Sequence, residues 1–232
     1  MTPRQRRVRW SRSYRIIPSR YPPIDLFERI GDPSEWEVLA EIEGRTNDRL
    51  RDQIGDISVV SNADRIAGPG ASAVMASFTH RGPSRFSDGS FGVYYAGESI
   101  GTSIAETAYH RAEFLARTAE PSCRIELRAY IARIDALLHD VRKGFPGVHA
   151  ADDWGRGQAL GFELQRQGSD GVLYKSVRRK GGECIGAFRP RVIRRTRAGY
   201  TLQGPHLYYR WDGKRIVDYL VVGEMDWKPV PA

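Results

Sequence analysis

Apolar residues along the chain change rhythm near residue 57, and the rhythm predicts the elements. Before that point the periods are helical. After the Pro22-Pro23 pair comes a short helical turn, and then PSEWEVLAEIEGRT places Ser34 three residues ahead of Glu37, the capping-box spacing. Trp36, Leu39 and Ala40 follow at helical intervals, with Gly44 as a stop. NDRLRDQIGD reads as another short helix, so 21–56 is expected to be a helical section.

From residue 57 onward strands should dominate. The compact runs SAVMASFTH (72–80) and FGVYYA (91–96) read as strands flanking a segment dense in turn formers. Over 100–117 the residues Ile104, Ala108, Ala112 and Leu115 share a narrow arc, which predicts an amphipathic helix. From Cys123 the apolar residues Ile125, Leu127, Ala129 and Ile131 alternate with Arg124, Glu126 and Arg128, the period of a half-buried strand. WGRGQALGFELQRQG reads as a helix leading into the strand GVLYKSV, and CIGAF as a further strand. HLYYRWDGKRIVDYLVVG reads as a hairpin turning at Asp212-Gly213. The mixture predicts an α+β fold with largely antiparallel pairing.

Composition adds a setting and a bias. A chain of 232 residues, 41% apolar and 28% charged, can bury a real core. No apolar run approaches the roughly 18 residues that span a bilayer. The Arg-rich start has no apolar segment after it, unlike a secretory signal. Cys123 and Cys184 show no metal-ligand spacing, and the five histidines are scattered, so no metal is expected and a cytoplasmic location is. The net charge of +8 favours anionic partners without choosing among them. One basic cluster lies within 4–20 and another within 175–197. The first reads as a solvated arm over 1–20, ahead of a single domain over 21–232.

Four side chains stand out for chemistry. Glu106 sits near the start of its helix, where Ser103 supplies a capping box and Gly101, Thr102, Ser103 and Ala105 are small enough to admit a ligand. With His110 it also forms an ordinary i, i+4 surface pair. Arg85 lies in a turn and is suited to bidentate contact with a phosphate or carboxylate. Tyr94 and Tyr95 point to opposite faces of a strand, so one belongs to the core and the other is available to a pocket. Ser176 closes an apolar strand before a glycine turn, without the context of a nucleophile elbow. Walker A, dinucleotide-fold and zincin patterns are missing.

In order and spacing these segments resemble the RES-domain toxins of RES–Xre toxin–antitoxin pairs, named for an Arg, a Glu and a Ser. The resemblance runs through SRFSDG, VYYAGES, TSIAETAYH and GVLYKSVRRKGGECIGAF, with ten residues from Arg85 to Tyr95 and eleven from Tyr95 to Glu106. It covers roughly 75–190, and TNDRL is similar to a segment of longer members. At the arginine turn this chain has Pro-Ser-Arg-Phe-Ser where the family often has Gly-Gly-Arg-Trp-Asn.

The resemblance implies a core similar to ADP-ribosyltransferases, two packed and mostly antiparallel sheets with flanking helices. It implies an enzyme that cleaves the nicotinamide–ribose bond of NAD and passes ADP-ribose to a target protein, or else to water or phosphate as a glycohydrolase or phosphorylase. Glu106, Arg85, Tyr95 and Ser176 would be its catalytic set, with Arg178 as a further phosphate contact. A helical Xre-type antitoxin would block the cleft, and nucleic acid would be met only through that antitoxin. The competing readings are a nucleic-acid-binding or RNA-cleaving toxin, drawn from the arginine clusters, and a plain protein-binding module.

Overall fold

The computed structural model describes residues 2–19, Trp36, Val38 and 55–232. The expected helical section 21–56, with its Ser34/Glu37 capping box, lies almost wholly outside the described residues. Within it, Trp36 and Val38 are helical and Trp36 is buried.

The arginine-rich start is a strand, β1 (Gln5–Pro18), and not a solvated arm. It pairs antiparallel along almost the full length of β3 (Cys123–Asp140), from Gln5 opposite His139 to Pro18 opposite Leu127. Val8, Ile16 and Pro18 are buried while most of the arginines between them point to solvent. A strand tolerates this composition because alternate side chains leave on opposite faces. Arg7 also donates from Nε to Asp135 Oδ1 at 2.6 Å on the partner strand.

Residues 72–79 lie in a helix, α1 (Ala71–Thr79), where a strand over 72–80 is expected. Ala71, Val74, Met75 and Phe78 are all buried, and their spacing is i, i+3, i+4, i+7. The short run of β-branched and aromatic residues masks that period. Close to expectation are β2 (Tyr94–Gly97), α2 (Ile100–Arg117), α3 (Gly155–Arg166), β4 (Gly171–Lys175), β5 (Glu183–Ala187), β7 (Thr201–Trp211) and β8 (Ile216–Val221), while the two-residue strands β6 (Ile193–Arg194) and β9 (Lys228–Pro229) have no counterpart in the sequence reading.

Among the described residues the strands form one nine-stranded network in which every pairing is antiparallel except the short β3–β4 contact. The expected mixed, mostly antiparallel architecture with flanking helices is therefore present. Its two halves are joined through β3. Near one end, β1, β2, β5, β4 and β3 close into a circuit, since β1 pairs with both β2 and β3. From the other half of β3 a meander of β7, β8 and β9 runs outward.

Among the described residues three apolar clusters follow this division. One joins α1 to the circuit through Val74, Met75, Phe78, Tyr94, Leu138 and Ile185. A second seats α2 on the meander through Ile104, Ala108, Leu127, Leu207, Tyr209 and Trp211. The third, around Phe86, Val148, Leu164 and Tyr174, lies beneath the arginine turn. Each large side chain so buried contributes about 1.5–3 kcal/mol, which makes these clusters the frame on which the cavity is built.

Candidate active site

A cavity of about 890 Å³ opens between α1, α2, β1 and β2. Arg85, Tyr95 and Glu106 all line it, together with His110, Trp154, Tyr174 and Arg15.

Glu106 is reached by α2. The helix begins one turn earlier than the capping box suggests: Ser99 is its N-cap and its Oγ accepts from Thr102 N at 3.2 Å. Ser103 is instead buried inside the first turn, donating to Tyr14 O at 2.7 Å and accepting from Gly97 N. The glycines around the helix start pack closely on protein, although Gly97 and Ser103 also line the cavity. Gly97 lies against Ser103, and Gly101 lies against the Arg179 guanidinium, which also donates to Ser99 Oγ and Thr102 Oγ1.

One and a half turns into α2, Glu106 meets the end of β4. Ser176 Oγ donates to Glu106 Oε1 at 2.6 Å, and Val177 N donates to the same oxygen at 2.9 Å. The Ser176 hydroxyl in turn accepts from Arg178 N and Arg179 N. A glycine turn folds this loop back, with Ser176 N donating to Gly182 O. Four bonds therefore hold one carboxylate oxygen and the hydroxyl that serves it. Oε2 has no protein partner among the described residues.

Arg85 is buried at the other side of the cavity. Its Nη1 donates to Val148 O at 2.9 Å and to Ala150 O at 2.8 Å, so the guanidinium is fixed by the backbone of the segment before α3. Around it the turn closes by Ser84 N to Ser87 O at 2.7 Å. Tyr95 braces both neighbours of Arg85: its hydroxyl donates to Ser84 Oγ at 2.9 Å and accepts from Phe86 N at 3.0 Å. Burial pushes this phenol up to about 12, so it stays protonated and able to donate at neutral pH. Its strand neighbour Tyr94 faces fully inward, as the alternation requires.

Helix α3 presses on the same turn through a glycine face. A Cβ at Gly157 would meet Arg85 O at 2.3 Å, and one at Gly161 would meet Phe86 O at 2.0 Å. Only glycine permits that approach.

Arg178 goes elsewhere. It does not line the cavity; its guanidinium carbon stands 3.2 Å from the centre of the Tyr109 ring, and Nη2 donates to Ala151 O and Asp152 Oδ1. Tyr109 completes this cluster by donating to Asp152 Oδ1 at 2.6 Å. Geometry thus brings Glu106 and Ser176 into contact, sets Arg85 and Tyr95 on the same cavity, and turns Arg178 away.

Several cavity residues escape a reading by sequence. Arg15 enters from β1, with Nη1 donating to Tyr95 O at 3.3 Å and its guanidinium over the Tyr94 ring. Burial lowers its pKa, opposed by the two tyrosines. His110 packs edge-on to Trp154 at 6.0 Å. The helical spacing of Glu106 and His110 is a signal for the latter, whereas nothing near Arg15 or Trp154 marks them. Among the described residues no cluster of His, Cys, Asp or Glu is arranged to hold a metal, and no helix is long and apolar enough to cross a membrane.

Comparison with known proteins places this arrangement. The RES domain family model matches residues 62–212, more than half of the chain. A protein of Sinorhizobium fredii (strain NBRC 101917 / NGR234), y4oC, carries the description uncharacterized and is 30% identical over 205 residues, covering 88% of this chain and 84% of its own. The solved M.tuberculosis MbcT–MbcA toxin–antitoxin complex aligns over 90% of this chain and 87% of its own, at 13% identity and a TM-score of 0.42. The family match includes Arg85, Glu106 and Ser176 with everything that holds them, and the chain belongs to the RES-domain family.

Proposed function

We propose that this protein is the toxin of a toxin–antitoxin pair and consumes NAD, cleaving the nicotinamide–ribose bond and transferring ADP-ribose to a target protein. The observation that carries the reading is the fixed carboxylate of Glu106, held at Oε1 by Ser176 and Val177 on a cavity that Arg85 and Tyr95 share.

The chemistry asks for such a group. Nicotinamide leaves NAD as a neutral molecule from a cationic ring, so departure needs no proton donor. The difficulty is the oxocarbenium-like character of the ribose as the bond breaks. A carboxylate already oriented before reaction stabilises that charge without reorganising. Its unshared Oε2 is the oxygen free for the ribose. Ser176, which the family resemblance assigns to the nicotinamide side, donates its one proton to Glu106 and so orients the carboxylate. Arg85, fixed through Nη1, keeps guanidinium surface for the pyrophosphate. Tyr95 secures the arginine turn with its hydroxyl, leaving its ring for the nicotinamide or its ribose. Arg178 is removed from the phosphate contacts, because it is engaged at Tyr109 and Asp152.

A helical Xre-type antitoxin is the expected partner, occluding the cavity, and the cytoplasm, where NAD is available, is the expected site of action. A nucleic-acid enzyme or binder would give the Glu106–Ser176–Val177 arrangement nothing to do.

The test is incubation of the purified protein with NAD, following free nicotinamide. Release that requires cell extract, with ADP-ribose appearing on a protein, is the expected result. Release in buffer alone identifies water as the acceptor, and release dependent on phosphate identifies phosphorolysis. No release under any condition removes the reading.

A further inference from the structure

His110 lies one helical turn beyond Glu106 on α2, and both side chains line the cavity. Residues four apart on a helix share a face, with Cβ atoms about 6 Å apart. The imidazole is open to solvent on one side and packs edge-on against Trp154 on another. The contrast with the other cavity histidine is informative. His80 Nδ1 lies within hydrogen-bond distance of Ala76 O and Thr79 Oγ1, whereas the His110 ring makes no hydrogen bond to any described residue. A polar ring at the edge of this cavity, beside the key carboxylate and with neither nitrogen bonded to a described residue, is placed to handle a proton.

We infer that His110 is the general base that takes the proton of the acceptor hydroxyl as that oxygen attacks ribose C1′. The inference rests on the NAD-cleaving reading above. In this step the bond from C1′ to the nicotinamide nitrogen breaks, and its electron pair leaves with neutral nicotinamide. The acceptor, water or an alcohol, forms the new O–C1′ bond, and its proton passes to a ring nitrogen of His110. The resulting imidazolium sits next to the Glu106 carboxylate and later loses its proton to water. Nothing is oxidised or reduced.

The charges around the ring suit a base that must be free at neutral pH. Desolvation lowers the His110 pKa first; Glu106 on the same helix pulls it up, while Arg178 from the loop after β4, Arg85 from its turn and Arg111 from α2 push it down. The net direction is downward, so the ring is neutral above the ordinary histidine value of about 6.5. Its solvent-facing side is where an acceptor arrives, while NAD occupies the interior.

The experiment compares the full-length chain with His110→Ala and His110→Gln, under whichever acceptor condition supports turnover. It measures nicotinamide release against pH, NAD affinity by calorimetry, and release in the presence of azide, an anionic nucleophile with no proton to give up. The expected result is a loss of about 100-fold in release rate in both variants, the scale of general base catalysis. NAD affinity stays unchanged, the acid limb of the wild-type profile disappears, and azide restores release together with a ribosyl azide product. His110→Gln keeps the helix and bulk, and its melting temperature guards against loss of fold. Variants that turn over like the parent overturn the inference, as do slow variants that keep the acid limb and ignore azide. A wild-type protein that releases no nicotinamide overturns the underlying reading instead, and the two failures are told apart by the parent alone.

Discussion

The β7–β8 hairpin and the cavity around Glu106 are built by opposite means. In the hairpin, neighbours in sequence are neighbours in space: Leu207 faces Val221, Tyr208 faces Leu220, Tyr209 faces Tyr219, and the turn is sealed by Asp212 Oδ1 accepting from Lys214 N and Arg215 N. In the cavity, each important group is held by a segment far away in the chain. Glu106 depends on Ser176 and Val177, Arg85 on Val148 and Ala150, and the arginine turn on glycines of α3. Local regularity makes an element robust, and long-range polar contacts place chemistry. A change in the second region should therefore cost function well before it costs the fold, and one in the exposed turn of the hairpin should do neither strongly.

The sharpest break is Glu106→Gln, which keeps an acceptor oxygen for Ser176 and Val177 but removes the charge. Nicotinamide release is expected to fall at least about 100-fold, as for other lost transition-state electrostatic contacts, with the melting temperature unchanged. Gly161→Ala comes next. Its methyl group would meet Phe86 O at 2.0 Å, so α3 must move off the arginine turn, a loss of about 1–3 kcal/mol read from urea unfolding. NAD affinity should fall with it, since Arg85 rides on that turn. Tyr95→Phe keeps the ring but leaves Phe86 N without its acceptor, a loss of about 1–2 kcal/mol, with KM for NAD rising more than kcat falls. The smallest effect is expected for Asp212→Ala. Hydrogen bonds from Arg215 N and Lys214 N hold the Asp212 carboxylate below its ordinary value. Its contribution is thus present above the ordinary carboxylate pKa and lost as pH falls through the lowered one. The variant should differ slightly from the parent at neutral pH, match it in strong acid, and turn over NAD at the parental rate.

What could be read in advance follows the same division. The hairpin, β3 and α2 announce themselves because their burial has a short period and one partner face, and β4 because it is an unbroken buried run. Glu106, Arg85, Tyr95 and Ser176 could be singled out by order and spacing, yet not their bonds, which link residues up to 71 positions apart. The errors have physical causes. A helix buried on several sides, as α1 is with Ser77 and Thr79 also inside, blurs its own period. The arginines of β1 hide a strand, because a pattern of one buried residue among several exposed cations looks like a solvated tail until its partner is known. The capping pair Ser103/Glu106 failed because Ser99 competes for the same helix start and wins. The surroundings of Arg178 were equally illegible, because no local feature points to Tyr109 and Asp152 as its neighbours.

The first strand carries a consequence for synthesis. Residues 14–18 form one wall of the cavity, yet β1 cannot be zipped in until its partner, which ends at Asp140, has been translated. β1 therefore leaves the ribosome unmatched by β3, and pairing between such remote stretches is slow in any case. The walls also include Thr201 and Gln203, so no nascent fragment that lacks them can assemble the pocket, and whatever chemistry the protein performs must wait until translation has passed that point.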